Sequence, residues 1–275
     1  MTTTACYACG AAVGERRIGA ADVGVCPACG FGQVVRAEHA PDYWARTDDV
    51  RHEMEERYWM ARLAVYQRAL ATVERVTGPG RLADLGGGVG HFAQYALERG
   101  WDAYSLDVSE HATAAAAARV GAHRSFRVAP AALAGTCDVV TLWCVIAHVP
   151  DPGLVLADAL GLLKPGGRLL LTTPNFRFQA PYAWLTARLG RPLDFVASDH
   201  LLHFTAASLE RVLDTAGAGR RTFTYWGTTG DCLLERRLAR PLVPCKRLWN
   251  WTAWRLARRG GPALHSELQV EVFRW

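Results

Sequence analysis

Apolar side chains at Met54, Tyr58, Ala61, Val65, Ala69, Val73 and Val76 recur every three or four positions, which predicts one long helix over 48–77. Gly78-Pro79-Gly80 ends it, because glycine breaks a helix entropically and proline cannot continue one. From Arg81 to about Asn175 the pattern changes to short apolar runs alternating with helical stretches. Strands are expected over Arg81–Leu85, Ala103–Leu106, Asp138–Val145 and Arg168–Thr173. Helices are expected over His91–Arg99, 111–119 and Leu154–Leu163, the alanine run 111–119 reading as a plain surface helix. Strands and helices in turn imply right-handed βαβ crossovers and a mainly parallel sheet. Further on, Ser208–Ala216 reads as a helix, and Arg221–Tyr225 and Leu268–Phe273 as strands flanking a long insertion, 231–262, rich in Arg and Trp.

Composition narrows the class without changing that picture. Half of the 275 residues are hydrophobic and 21% are charged, which is globular and leaves room for one α/β core plus a small appendage. The net charge of +5 is mild and sits largely in the last sixty residues, which argues against a nucleic-acid partner. Met1–Ala12 lacks the basic and apolar regions of a signal peptide, and no uninterrupted apolar run reaches about 18 residues, so no spanning helix is expected. Of eight cysteines, four form two tight C-x-x-C pairs, while Cys137, Cys144, Cys232 and Cys245 are scattered. That usage points to reduced thiols and metal ligation, hence to the cytoplasm, and not to a disulfide framework.

The main chemical signal is the turn Asp84-Leu85-Gly86-Gly87-Gly88-Val89-Gly90 between a strand and a helix. Glycines there permit positive φ and let a ligand approach the backbone, at the edge of a parallel sheet where α/β folds bind nucleotides. The dinucleotide fingerprint needs one further glycine, but His91 stands in its place. Asp107 follows the next strand, seventeen residues after Gly90, and a carboxylate there can accept both hydroxyls of a ribose. Together these suggest a nucleoside ligand without a pyrophosphate.

The stretches LADLGGGVGHF, YSLDVSE, CDVVTLWCVIAHVPDP, LLKPGGRLLLTTPN and DHLLHFTAASLERVLDTAG, in this order, resemble the class I S-adenosylmethionine-dependent methyltransferases. SELQVEVFRW fits that family's last antiparallel strand. The resemblance implies a Rossmann-like α/β fold, a seven-stranded mostly parallel sheet with helices on both faces. It implies that Gly86, Gly88 and Gly90 line the methionine and ribose of S-adenosylmethionine, that Asp84 orients the loop, and that Asp107 holds the ribose hydroxyls. Trp143 and Cys144 would lie beside the sulfonium. Arg127-Val128-Ala129-Pro130 departs from the family in offering no acid to the adenine amino group. Methyl transfer asks mainly for alignment, and an oxygen acceptor also asks for a base. His148, after the fourth strand, is the first candidate catalytic residue, and His200 and His203 are the others; local hydrogen bonding and packing explain all three equally well.

Cys6, Cys9, Cys26 and Cys29 have the spacing of two facing zinc knuckles, each followed by glycine, and four thiolates complete a closed structural Zn2+ site. So short a segment cannot bury enough apolar area to fold without the metal. The chain therefore divides into a zinc ribbon, 1–40, and a methyltransferase domain, 41–275. In the insertion, Arg236, Arg237, Arg240, Lys246, Arg247, Arg255, Arg258 and Arg259 sit among Trp249, Trp251 and Trp254. An acceptor lid, an interfacial helix giving peripheral membrane contact, a nucleic-acid contact and a helical flap all fit this pattern. Zinc ribbons on this fold resemble either sugar and small-molecule enzymes or ribosomal RNA methyltransferases. LWCVIAHVPDP, DHLLHFTAASL and the absent N/D-P-P-[YF] motif favour the former, with a small-molecule or glycan acceptor methylated on oxygen, carbon being a close second; the alternatives are an rRNA or tRNA methyltransferase that grips RNA with the ribbon, and a module that binds S-adenosylmethionine without transferring methyl. The oligomeric state stays open.

Overall fold

Seven strands form the central sheet that the alternating pattern predicts. The structure, a computed structural model, describes residues 5–18, 21–35, 50–190, 200–226 and 267–274, with isolated helical positions at 244, 245, 248, 251, 252 and 255. Strands β1 (Gly14–Ile18), β2 (Ala21–Val25) and β3 (Gly32–Val34) are followed by helix α1 (Val50–Thr77). Then come β4 (Arg81–Leu85), α2 (His91–Glu98), β5 (Asp102–Leu106), α3 (Glu110–Val120), β6 (Ser125–Phe126) and β7 (Cys137–Trp143). The chain continues through α4 (Pro152–Leu162), β8 (Leu163–Pro174), α5 (Phe176–Arg188), β9 (Leu202–His203), α6 (Ala206–Thr215), β10 (Arg221–Trp226) and β11 (Glu267–Phe273). Among the described residues no helix is long and apolar enough to cross a membrane.

The large sheet runs β10-β11-β8-β7-β4-β5-β6, with β8 to β6 mutually parallel and β11 antiparallel to both of its neighbours. From β4 the chain winds outward through β5 and β6, then returns to build β7 and β8 on the other side. The carboxyl end of β4 is thus the switch point, where a crevice opens between diverging loops. Leu82, Ala103, Val139 and Leu170 pack on one face against Tyr66, Ala69, Leu70 and Val73 of α1 and Phe92, Ala93 and Ala96 of α2. Ala83, Leu142, Leu169 and Leu171 pack on the other, against Leu156, Ala159 and Leu160 of α4 and Leu209, Val212 and Leu213 of α6.

Several sequence expectations need correction. Val76 is exposed, because the buried stripe of α1 stops at Val73. The next turn is held instead by polar bonds, Glu74 accepting from Arg99 and from Trp101 Nε1. Helix α3 is no plain surface helix: Ala112, Ala116 and Val120 are buried, and a Cβ on Gly90 would stand 2.9 Å from Ala116 Cβ. The alanines let α3 approach the glycine loop. Helix α5 and the short strand β9 are additions to the sequence reading, while β6 is the third strand that the family resemblance implies before Arg127 but that no apolar run marks. The side chains of Met54, Tyr58 and Ala61 and nearly all of 231–262 lie outside the described residues; within the insertion, Trp251 is exposed with Arg255 stacked 4.5 Å over its ring.

The ribbon is joined to the larger unit by a shared sheet. Strands β1-β2-β3-β9 form a second, antiparallel sheet, whose last strand comes from the chain after α5. Cys6, Cys26, Cys29 and Phe31 belong to the same continuous core as Leu142 and Ile146.

Candidate active site

Asp84 is the penultimate residue of β4, and its buried carboxylate accepts a hydrogen bond from Thr141 Oγ1 on β7 at 2.5 Å. Burial raises its pKa from 3.8 to about 7, against the Thr141 bond, with the nearby Asp107 charge adding to the rise. Folding therefore favours the protonated acid. There is no penalty below the unfolded pKa of 3.8, a growing one as pH rises toward 7, and a constant one above it. Asp84→Asn is expected to stabilise the fold more at pH 8 than at pH 5, the gain growing by roughly 2–3 kcal/mol. Urea unfolding of both proteins at the two pH values measures this; a pH-independent difference would refute it.

The loop after Asp84 turns back on the end of β5, where Gly86 N and Gly87 N both donate to Leu106 O, at 2.7 and 3.1 Å. Gly86 has φ +68°, and a Cβ there would meet Val145 Cγ2 at 2.4 Å. Gly87, which sequence reasoning passed over, needs no unusual φ, but a Cβ there would stand 2.5 Å from Ser105 Oγ. Asp107 fastens the loop from the other side: Oδ2 accepts from Gly88 N and Oδ1 from Ser109 N, both at 2.9 Å. A carboxylate offers about four acceptor positions over its two oxygens, so the geometry of Asp107 is that of a group able to bridge backbone donors and hydroxyls. Gly88, Gly90, Asp84 and Asp107 thus come together at the switch point.

Trp143 and Cys144 follow at the end of β7. The Trp143 ring lies 4.6 Å from Tyr66 and 5.0 Å from Phe92, and its buried Nε1 has no hydrogen-bond partner among the described residues. Cys144 has φ 59°, the one positive value outside glycine among the described residues, and backbone strain of this kind collects at functional sites. Its N–H donates to Thr172 O at 3.1 Å, and burial raises its thiol pKa.

Helix α1 roofs this edge with residues that sequence reasoning missed. Trp59 stacks on His91 with ring centroids 5.4 Å apart. Arg62 is only 20% exposed, its Nη2 3.7 Å from Glu267 Oε1, and Glu267 is buried at the start of β11. A loose, buried ion pair of this kind contributes little to stability and marks a candidate functional site. A signal was present: Arg62 continues the 3–4 spacing of the buried Tyr66, Ala69 and Val73, where a charge is out of place.

The three candidate histidines come together. His148 stacks on His200 at 4.5 Å, and His200 lies 6.2 Å from His203, which is buried and stacked on Phe176 at 5.0 Å. They stand on the loop after β7 and on the segment containing β9, between the carboxyl edge of the sheet and the ribbon.

In the ribbon the Sγ atoms of Cys6, Cys9, Cys26 and Cys29 all lie within 4.8 Å of one another, with Cys6–Cys29 at 3.6 Å and Cys9–Cys26 at 3.5 Å. A tetrahedral zinc–thiolate site has S···S separations of about 3.8 Å, so the donor set fits the metal. Burial pushes the Cys6 thiol up to about 11 and Cys29 higher still. Burial acts likewise on Cys26, but N–H bonds from Cys29 and Ala28 outweigh it and bring that thiol to about 7. Gln33 ties the two knuckles, accepting from Tyr7 N and donating to Ala5 O.

A family model described as a methyltransferase domain matches residues 50–218. The ubiquinone biosynthesis O-methyltransferase of Psychrobacter arcticus is 29% identical over 156 residues, 51% of this chain and 60% of that protein. Its counterpart in Aromatoleum aromaticum is 31% identical over 118 residues, 40% of this chain and 49% of that protein. That of Caulobacter sp. is 29% identical over 194 residues, 61% and 77% of the two. The chain thus spans about half to three quarters of these relatives. Among solved structures, an S-adenosylmethionine-dependent methyltransferase from Mesorhizobium loti superposes with TM-score 0.53 at 21% identity, covering 78% of this chain and 98% of its own. One from Archaeoglobus fulgidus gives 0.52 at 15% identity, covering 82% and 100%. At these identities the likeness shows the fold.

Proposed function

We propose that this chain, which belongs to the methyltransferase domain family, is an S-adenosylmethionine-dependent methyltransferase that methylates a hydroxyl oxygen on a small-molecule or glycan acceptor. The observation that carries the acceptor reading is the gathering of His148, His200 and His203 beside the end of β7. The O-methyltransferase names of the relatives point the same way.

The Gly86–Gly90 turn and Asp107 are suited to hold the nucleoside, the carboxylate of Asp107 at the end of β5 accepting from the ribose hydroxyls. When bound, S-adenosylmethionine supplies a methyl group already activated on a sulfonium. The chain's own work is alignment and proton handling. Trp143 and Cys144 border the reacting edge, and α1 excludes water from above. A neutral imidazole on His148 or His200 accepts the hydroxyl proton as the oxygen–methyl bond forms, and the stacked partner ring fixes its orientation. The four cysteines hold a structural zinc; with every position taken by thiolate it has no open site for catalysis.

His148→Ala and His200→Ala are each expected to lower kcat about 100-fold with a phenolic or glycan hydroxyl acceptor, leaving the KM for the cofactor unchanged. Transfer of labelled methyl to a panel of such acceptors measures it. Rates within threefold of the parent in both variants would remove the histidines from the chemistry. Methylation of ribosomal RNA, with none of the hydroxyl compounds accepted, would overturn the acceptor class.

A further inference from the structure

Each cysteine knuckle of the ribbon is tied to a different part of the histidine cluster. In the first, Tyr7 stands between Cys6 and Cys9, and its hydroxyl donates to Asp151 Oδ1 and accepts from Gly153 N at 3.0 Å. Asp151 caps α4, three residues after His148. In the second, the carbonyl of Cys29 accepts from Thr205 Oγ1 at 2.7 Å. Thr205 caps α6, two residues after His203.

Between these ties the two segments are joined by backbone. Gly32 of β3 is paired with His203, and a Cβ on Gly32 would stand 2.8 Å from the Phe176 ring on which His203 stacks. Leu202 N donates to Ala147 O at 3.0 Å. The strap 200–205 is therefore held between the ribbon on one side and the loop carrying His148 on the other. Phe31, fully buried, packs edge-on against Phe204 at 5.2 Å and fills the space beneath.

We propose that Tyr7 and Thr205 are positioning residues, through which the metal-holding ribbon fixes the strap 200–205 against the loop 147–153 and so assembles the histidine cluster. The functional part rests on the reading of those histidines given above. The mechanical part does not. A ribbon held in one shape by four thiolates gives both ties fixed anchor points. Without the metal its few buried side chains do not hold that shape, and the strap loses the partner of β9.

The substitutions can separate this role from ordinary capping. Asp151 also accepts from Gly153 N and Leu154 N, at 3.0 and 3.2 Å, so Tyr7→Phe leaves the α4 cap in place. Thr205 both donates to Cys29 and accepts from Ser208 N, so Thr205→Asp keeps a good helix cap but has no proton to donate.

The test is amide hydrogen exchange on the zinc-loaded full chain carrying Tyr7→Phe and Thr205→Asp together, with metal content measured in parallel. One zinc per chain is expected, with exchange at 147–153 and 200–205 about tenfold faster than in the parent and the centre of β7 unchanged. The kcat falls while the KM for the cofactor holds, and restoring Tyr7 with Thr205→Ser recovers both exchange and kcat. The same two segments are expected to lose protection in the unaltered chain after chelation, which serves if the double variant does not fold. Parent-like protection at 200–205 in the metal-free chain, or in the zinc-loaded double variant, would overturn the proposal. If His148→Ala and His200→Ala leave transfer intact while exchange behaves as described, the coupling stands and only the catalytic reading falls.

Discussion

Removing zinc from the ribbon is expected to unfold residues 5–35 and to lower the midpoint of thermal unfolding by roughly 6–12 °C. The ribbon's interior is little more than Cys6, Val23, Cys26, Cys29 and Phe31, too little apolar area to offset the conformational entropy of some thirty residues. With the structural zinc proposed above, metal binding supplies the difference and chelation acts on folding directly. The damage does not stay in the ribbon. Phe31 leaves its place beside Phe204, and the burial of one such ring is worth about 1.5–3 kcal/mol. The Thr205–Cys29 and Tyr7–Asp151 bonds go with it, so a total near 3 kcal/mol for the larger unit is expected, at about 2–4 °C per kcal/mol for a chain of this size. Cys29→Ser should reproduce much of the loss: it keeps the backbone carbonyl that Thr205 bonds but removes one of the four thiolates that hold that carbonyl in place. Cys245→Ser, at an exposed position away from the knuckles, should change nothing. Metal analysis with thermal unfolding, before and after chelation, decides it. A chain purified with intact cysteines, no metal and an unmoved midpoint would end the ribbon assignment.

What the sequence revealed, and what it withheld, follows from where each constraint resides. The glycine turn was legible because its demands are local: Gly86 must take positive φ and Asp84 must stand near the end of a strand, and both show in seven consecutive residues. The four cysteines were legible because a closed thiolate site needs a fixed ligand count and spacing. Arg62 is legible only as a charge out of place on the buried stripe of α1, since its meaning depends on Glu267, which arrives from the far end of the chain when β11 inserts beside β8. The sequence offers His148 alone and His200 with His203 as a pair, but their meeting depends on β9, a two-residue strand with no periodicity of its own that forms because β3 offers an edge. Helix α5 escaped notice for a related reason. Pro181 lies inside it, and Tyr182, Trp184 and Leu185 are exposed, so its sequence shows neither the composition nor the buried stripe of a core helix. The alanines of α3 were read as surface filler because only the fold shows Gly90 against Ala116.

Asp107→Ala is expected to weaken S-adenosylmethionine binding about 100-fold, with a midpoint of unfolding only slightly lower. Two effects contribute, and they can be told apart. Asp107 first acts as scaffold: its two oxygens receive Gly88 N and Ser109 N, and alanine leaves both donors to water and the Gly86–Gly90 turn loosely held. Bonds to a charged acceptor are worth about 1.5–3 kcal/mol each when buried and less at this partly open edge. The second effect is direct loss of the ribose partner, for which a similar sum applies. Together they give about 3 kcal/mol, or about two powers of ten in affinity. Calorimetry with S-adenosylhomocysteine and with its 2′,3′-dideoxy analogue separates the two contributions. If Asp107 holds the ribose, the parent prefers the natural ligand strongly and the alanine variant hardly at all. If it serves only as scaffold, the variant binds both ligands more weakly than the parent does, and the preference between them is unchanged. Equal discrimination by parent and variant would therefore remove Asp107 from the cofactor's contacts, and would leave it a scaffold for the glycine turn.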